Sequence, residues 1–268
     1  MDMPDIHATA IVDASARLGA GVEIGPYAVV GPDCELGDGC RLDAHAVICA
    51  HTRFGPGCRL HSGSVIGDTP QDLAFSGVTS RTEIGARCTF REGVTVHRGT
   101  AEGTVTRIGD DCYLMATSHV AHNCVLGDCV ILANGALLGG YVEIGEGAFL
   151  SGHCAVHQFC RVGRLAMMGG GAQISKDLPP FCTARSGSEN EVHGLNVVGL
   201  RRAGITPEQR TALKRAYLRF YRSGEAKAAV LASLRETDHD GPVAEWVAFI
   251  LASKRGVVGE RARGGDTG

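Results

Sequence analysis

Two histidines three residues apart, His119 and His122, stand in the stretch SHVAHNCVLGDCVILANGALLGG (118–140), among cysteines, asparagines and otherwise small or aliphatic residues. Such a group admits three chemistries. Imidazoles and thiolates together bind zinc, a neutral imidazole near pH 7 takes a proton from an attacking hydroxyl, and histidines with neither task are solvated side chains outside a repeat. The choice depends on the elements that hold the pair.

Those elements repeat every six residues. Counting from Ile6, the series Val12, Leu18, Ile24, Val30, Leu36, Leu42, Ile48, Phe54, Leu60 and Ile66 is unbroken. At 44% hydrophobic composition such a run has a chance of roughly 1 in 10,000. The phase returns at Ile84, Phe90 and Val96, then from Ile108 through His119's neighbour Val120 to Ile174. Gly often follows the aliphatic residue, and a small residue stands four places after it. A six-residue period fits neither a helix nor a lone alternating strand. It fits a mainly β fold, a parallel β-helix in which three hexads close one triangular coil, with aliphatic and small residues pointing inward. Hexads of this kind resemble the left-handed β-helix.

Composition agrees. The chain has 268 residues, 38 of them Gly, about twice the average share, and only 5% are aromatic, so small and aliphatic side chains must fill the interior. A net charge of -3 without a basic stripe gives no footprint for nucleic acid. The N-terminus lacks a basic region followed by an apolar run, and no apolar stretch of about 18 residues offers a membrane span. A cytoplasmic protein is expected. Eight of eleven cysteines (Cys34, Cys40, Cys58, Cys88, Cys112, Cys124, Cys154 and Cys160) occupy the small inward position, which predicts buried fillers in place of disulfides or a zinc site.

The hexads break at 67–83 and again at 100–105, two loops leaving a rigid scaffold, and stop at KDLPPF. Thr206, Pro207 and Gln209 compose a helix start closed by Gly224, with further helical segments at 225–236 and 242–254 and a frayed tail over 255–268. The predicted domains are a β-helix over 1–180 and a connecting segment with a small C-terminal α-helical domain over 181–268.

Side chains eighteen apart stack in columns at about 4.8 Å. His122 then lies under Gly140 and Gly140 under Gln158, while Ala121 lies under Gly139 and His157. A zinc hydratase on this fold needs a third ligand at a spacing that His-Val-Ala-His does not offer, so no metal is expected. Acyl transfer fits better: His122 as base, and a glycine N–H, unobstructed by a side chain, as oxyanion donor. A purely structural β-helix is the remaining reading.

The segments IGPYAVVGP, GDTPQDLAF, TFREGVTVHRGT, SHVAHNCVLGDCVILAN, AVHQFCRVG, DLPPF and GLNVVGLRRAGI together resemble the acyl-carrier-protein-dependent UDP-N-acetylglucosamine O-acyltransferases that begin lipid A synthesis. The resemblance implies a homotrimer with sites between neighbouring β-helices, no bound cofactor, and a donor carried on the phosphopantetheine of acyl carrier protein. His122 matches the general base and Gly140 the oxyanion donor. Gln71 and Asp72 match sugar and acyl contacts, and His97, His119, His157 and Gln158 match positions lining the cleft. Asn196 and Arg202 match positions near the nucleotide, and Gly170 the position that limits acyl length. The chain departs from that pattern at Asn123 (often Asp), Ala74 (often Lys), Tyr141 (a histidine) and Val198 (a glutamate). These departures leave open another nucleotide sugar, such as one with an amine at the acylated position, or another acyl donor.

Overall fold

In the computed structural model, which describes residues 3–237 and 240–260, the hexads form short strands, mostly of two residues, arranged in three parallel sheets. Successive strands fall on the three sheets in turn, as Asp5–Ile6, Ile11–Val12 and Arg17–Leu18 do. Each pairs with the strand one coil on, Asp5 with Glu23 and Ile6 with Ile24. Within a coil the aliphatic residue and the small residue four places later point inward; Ile48, Leu60, Leu132, Leu150, Cys34, Cys88, Cys124 and Ala136 are all buried. All eight cysteines at the filler position are buried free thiols, with Sγ of Cys124 directed at the Gly139 carbonyl oxygen, 3.1 Å away.

The frequent glycine after the aliphatic residue reflects contact between coils. A Cβ on Gly139 would come within 2.7 Å of the Gln158 backbone nitrogen, so the stacking distance itself requires glycine there. Three places after most of the aliphatic residues the chain turns the corner with φ near +60°, and several of these residues are not glycine: Asn123, Tyr141 and Phe159 form one such corner column.

Both breaks are loops, but their borders differ from the hexad reading. The strands Val65–Asp68 and Arg81–Ile84 extend into the first break, leaving 69–80 as the excursion, and Val105–Ile108 extends into the second. Arg98 stacks on the Phe75 ring, 5.6 Å from its centroid, and its N–H donates to Asp68. These contacts hold the first loop against the coil.

The coil also outlasts residue 180. Cys182–Ala184 adds a parallel strand, pairing Thr183 with Met167, before Glu191–Leu195 turns back antiparallel. Four helices follow among the described residues: α1 (Val197–Arg202), α2 (Pro207–Arg222), α3 (Lys227–Thr237) and α4 (Gly241–Leu251). The reciprocal Thr206–Gln209 capping box starts α2 as its sequence predicts, whereas α1 lies in the stretch expected only to connect the two domains. Phe220 of α2 meets Trp246 of α4 edge to face. Arg161, on the last complete coil, holds the buried Asp177 carboxylate, stacks on Phe249 and donates to its carbonyl, tying helices to coil.

The expected frayed tail is corrected over 255–260. Val258 is buried, Gly259–Glu260 pairs with Glu191–Val192, and Tyr221 donates its hydroxyl proton to the Val258 carbonyl. Apolar burial and ladder bonds fix this segment despite its polar surroundings; the rest of the expected tail lies outside the described residues.

Candidate functional site

An open cleft of about 850 Å³ runs along one sheet and is lined by Gln71, His119, His122, Gly140, His157 and Gln158 among others. The column arithmetic holds. Tyr141 N–H donates to the His122 carbonyl and Phe159 N–H to the Gly140 carbonyl, setting His122, Gly140 and Gln158 on consecutive coils. A Cβ on Gly140 would lie 2.6 Å from His122 Nε2, so the imidazole occupies the space that any other residue at 140 would fill. The Gly140 N–H makes no backbone hydrogen bond among the described residues, which leaves it available as a donor at the cleft wall.

The tautomer of His122 follows from its neighbours. Nδ1 lies 3.0 Å from Asn123 Oδ1. The Thr100 backbone N–H points at the same oxygen from 3.1 Å, and since an N–H can only donate, that atom is the acceptor oxygen and not the amide nitrogen. Nδ1 of His122 therefore carries the proton and Nε2 presents its lone pair, as a base requires.

His97 and His119 back the site. Their rings meet edge to face at 4.8 Å, and His119 Nδ1 is 2.7 Å from Thr95 Oγ1. Burial, then the neighbouring His97 and His122, push His119 down to about 4, so it is neutral at physiological pH. His97 is buried with no partner for Nδ1 among the described residues, and burial lowers its pKa as well, with Asp68 opposing and His122 acting in the same direction. His157 donates from Nδ1 to the Gln158 carbonyl. Among the described residues no group of three or more His, Cys, Asp or Glu side chains is arranged to hold a metal ion.

Other expected residues fall elsewhere. Asp72 stands in the first loop, where its carboxylate accepts from the Ala74 N–H. Gly170 is exposed at a corner outside the lining of the cleft, and a Cβ there meets nothing closer than the Gly152 carbonyl oxygen at 3.8 Å. Asn196 and Arg202 line a second, more apolar hollow of about 750 Å³ on a different sheet, with Phe149, Leu165 and Val198. The Asn196 side chain already caps α1, accepting from Gly199 N–H and donating to the Leu165 carbonyl. One chain therefore does not bring Asn196 and Arg202 to His122.

Thr95, Thr100 and Thr106, which contact His119, Asn123 and the Asn123 N–H, were not legible as site residues. Tyr141, noted only as a departure, meets His122 edge to face at 5.3 Å and stacks on Phe159 at 4.9 Å.

Known proteins place this geometry. Residues 15–50 and 106–140 match the family model for bacterial transferase hexapeptide (six repeats), the class to which the coil and cleft correspond. Residues 177–258 match the model described as domain 2 of UDP-N-acetylglucosamine O-acyltransferase. The curated acyl-[acyl-carrier-protein]–UDP-N-acetylglucosamine O-acyltransferase of Alkalilimnicola ehrlichii is 49% identical, covering 96% of this chain and 100% of that protein. That of Anaeromyxobacter dehalogenans is 46% identical, over 94% and 98%. The solved UDP-N-acetylglucosamine acyltransferase of Francisella novicida superposes with a TM-score of 0.91 at 34% identity, covering 95% of this chain and 94% of that one. The corresponding structure from Bacteroides fragilis gives 0.90 at 35%, over 94% and 99%. The chain belongs to the acyl-[acyl-carrier-protein]–UDP-N-acetylglucosamine O-acyltransferase family.

Proposed function

We propose that this protein transfers a fatty acyl group, a 3-hydroxyacyl group in the preferred donor, from acyl carrier protein to the 3-hydroxyl of UDP-N-acetylglucosamine, the step that opens lipid A synthesis. The observation that carries the reading is His122, lying against Gly140 with Nδ1 engaged and Nε2 free, at the wall of a cleft large enough for a sugar and part of a chain. Nε2 takes the proton of the 3-hydroxyl as its oxygen attacks the thioester carbonyl on the donor's phosphopantetheine. The Gly140 N–H donates to the oxygen that becomes negative. Collapse breaks the C–S bond, the thiolate recovers the proton from the imidazolium, and ester and free thiol leave. No bound cofactor is needed, because the activated acyl group arrives on its carrier. Neutral His119 and His97 suit this cleft, since a second positive charge beside His122 would disfavour the imidazolium that must form.

The protein acts as a homotrimer in this reading. Asn196 and Arg202 reach a nucleotide only when a neighbour's second hollow faces the His122 cleft, and Gln71 and Asp72 stand on a loop at that open side. The outward residues Ile11, Val29, Val47 and Val65 form an apolar ladder suited to cover by another coil. Gly170 limits the acyl chain, the coil turns left-handed, and the described residues beyond about 185 form the connecting segment and the helical domain. No described helix is long and apolar enough to cross a membrane, and we place the enzyme in the cytoplasm, where acyl carrier protein and nucleotide sugars meet.

The test offers purified protein a panel of acyl carrier proteins and UDP-sugars and identifies products by mass spectrometry. Acylation of UDP-N-acetylglucosamine supports the reading; acylation only of a 3-amino sugar assigns a different acceptor, and no transfer to any acceptor overturns it.

A further inference from the structure

The second break in the hexads returns the chain to the catalytic histidine. Thr100, in that loop, places two donors on Asn123 Oδ1: its N–H at 3.1 Å and its hydroxyl at 2.9 Å. Having donated its own proton, the Thr100 hydroxyl accepts from the Tyr141 hydroxyl at 3.0 Å. Tyr141 is fixed in turn, because its ring stacks on Phe159 and meets the edge of His122. Asn123 and Tyr141 both turn the corner at φ 60°, a conformation that costs a non-glycine residue free energy and here aims both side chains at one point. Asn123 is further anchored by its own N–H, which donates to Thr106 Oγ1 at 2.7 Å.

An amide oxygen has no charge with which to hold an imidazole, and a free asparagine could present its NH2 to Nδ1 and move the histidine's proton to Nε2. That form has no lone pair for the substrate. We propose that Thr100 and Tyr141 are positioning residues for the base: they lock the amide of Asn123 oxygen-first toward His122, so that a neutral partner enforces the Nδ1–H tautomer. The loop at 100–105 is thereby part of the catalytic machinery, and Tyr141 acts on the base. The inference rests on His122 being the base, and it makes a claim about the free protein that holds whatever the acceptor is.

The experiment combines nitrogen NMR of histidine-labelled protein with steady-state kinetics. The unmodified free protein should show His122, assigned by its loss in His122→Ala, with a protonated Nδ1 and a bare Nε2. Thr100→Val removes the hydroxyl but retains the backbone N–H; it should introduce the other tautomer and lower kcat about 10- to 100-fold with KM little changed, a cost of the order found when a metal-bound histidine loses its outer partner. Thr100→Ser should restore most of both. Tyr141→Phe should give a smaller loss of kcat in the same direction. Asn123→Asp supplies a carboxylate that fixes the tautomer without help, so adding Thr100→Val to it should cost little, and the acid limb of its pH–rate profile should move to higher pH. Thr100→Val with unchanged His122 nitrogen signals and unchanged kcat would overturn the proposal. A drop in KM-dependent terms alone would also do so, assigning Thr100 and Tyr141 to substrate contact. If the protein transfers no acyl group, the NMR arm still decides the tautomer claim.

Discussion

Along the sheet that carries His119, the inward residues run Val12, Val30, Ile48, Ile66, Val96, Val120, Leu138, Val156 and Ile174. Beside them the outward residues run Ile11, Val29, Val47 and Val65, and then Thr95, His119, Leu137, Ala155 and Gln173. The inward column is aliphatic from end to end, while the outward one changes from an apolar ladder to a lined cleft halfway up. Another sheet makes the same point with charge, where Arg17, Glu35 and Arg53 pair across three coils. Neighbouring positions in a two-residue strand thus answer to different demands. The interior must fill a triangle of fixed size, whereas the exterior is free to carry a partner's surface, an ion-pair ladder or a catalytic base on the same backbone.

The contrast is tested most severely at His122. His122→Ala should reduce kcat roughly 100- to 10,000-fold, the range of a positioned general base, with a melting temperature near that of the parent. His119→Ala should cost less activity, because that imidazole lines the cleft without taking the proton. Near-normal turnover of His122→Ala at saturating donor and sugar would remove chemistry from the exterior of the coil.

Leu137 and Leu138 provide the next comparison, adjacent residues of one type with exposures of 48% and 1%. Denaturant titration should show Leu138→Ala destabilised by about 2 to 5 kcal/mol and Leu137→Ala within about 0.5 kcal/mol of the parent. Equal losses would mean that the exterior is as tightly specified as the core.

Acid sharpens the picture further. His119 is held neutral down to about pH 4 in the fold, whereas an unfolded histidine takes up its proton near 6.5. As pH falls through that window the unfolded chain gains a proton that the native state refuses, so stability declines with falling pH and is untouched well above 6.5. His119→Gln should flatten this decline by on the order of 1 to 3 kcal/mol between pH 6.5 and 4, measured as the pH dependence of the unfolding free energy. A parallel slope in the two proteins would show that His119 protonates freely in the fold.

The last comparison concerns Gly170. Open space at its Cβ position lets Gly170→Met fold, and if this corner limits the chain, donor preference should shift toward acyl groups several carbons shorter. Each methylene denied burial is worth about 0.8 kcal/mol, read as the ratio of kcat/KM between donors. An unchanged donor profile would take Gly170 out of the site.

What the residues determined unaided was everything periodic. The six-residue phase implied coils, and inward packing assigned eight cysteines to the core. The eighteen-residue column placed His122, Gly140 and Gln158 on one wall, because within uninterrupted coils sequence separation converts directly into stacking. Tertiary structure decided what crosses the breaks. Thr95 pairs with His119 at a separation of 24 residues and Val65 with Thr95 at 30, since the coils there contain loops. Column arithmetic therefore missed Thr95 and the edge-to-face contact of His97 with His119. Thr100 reaches Asn123 only because its loop folds back, and Val258 is buried only because the chain returns to the sheet after four helices. A repeat specifies its own neighbours through a fixed rise per residue; contacts made by segments that leave the repeat depend on where folding brings them back.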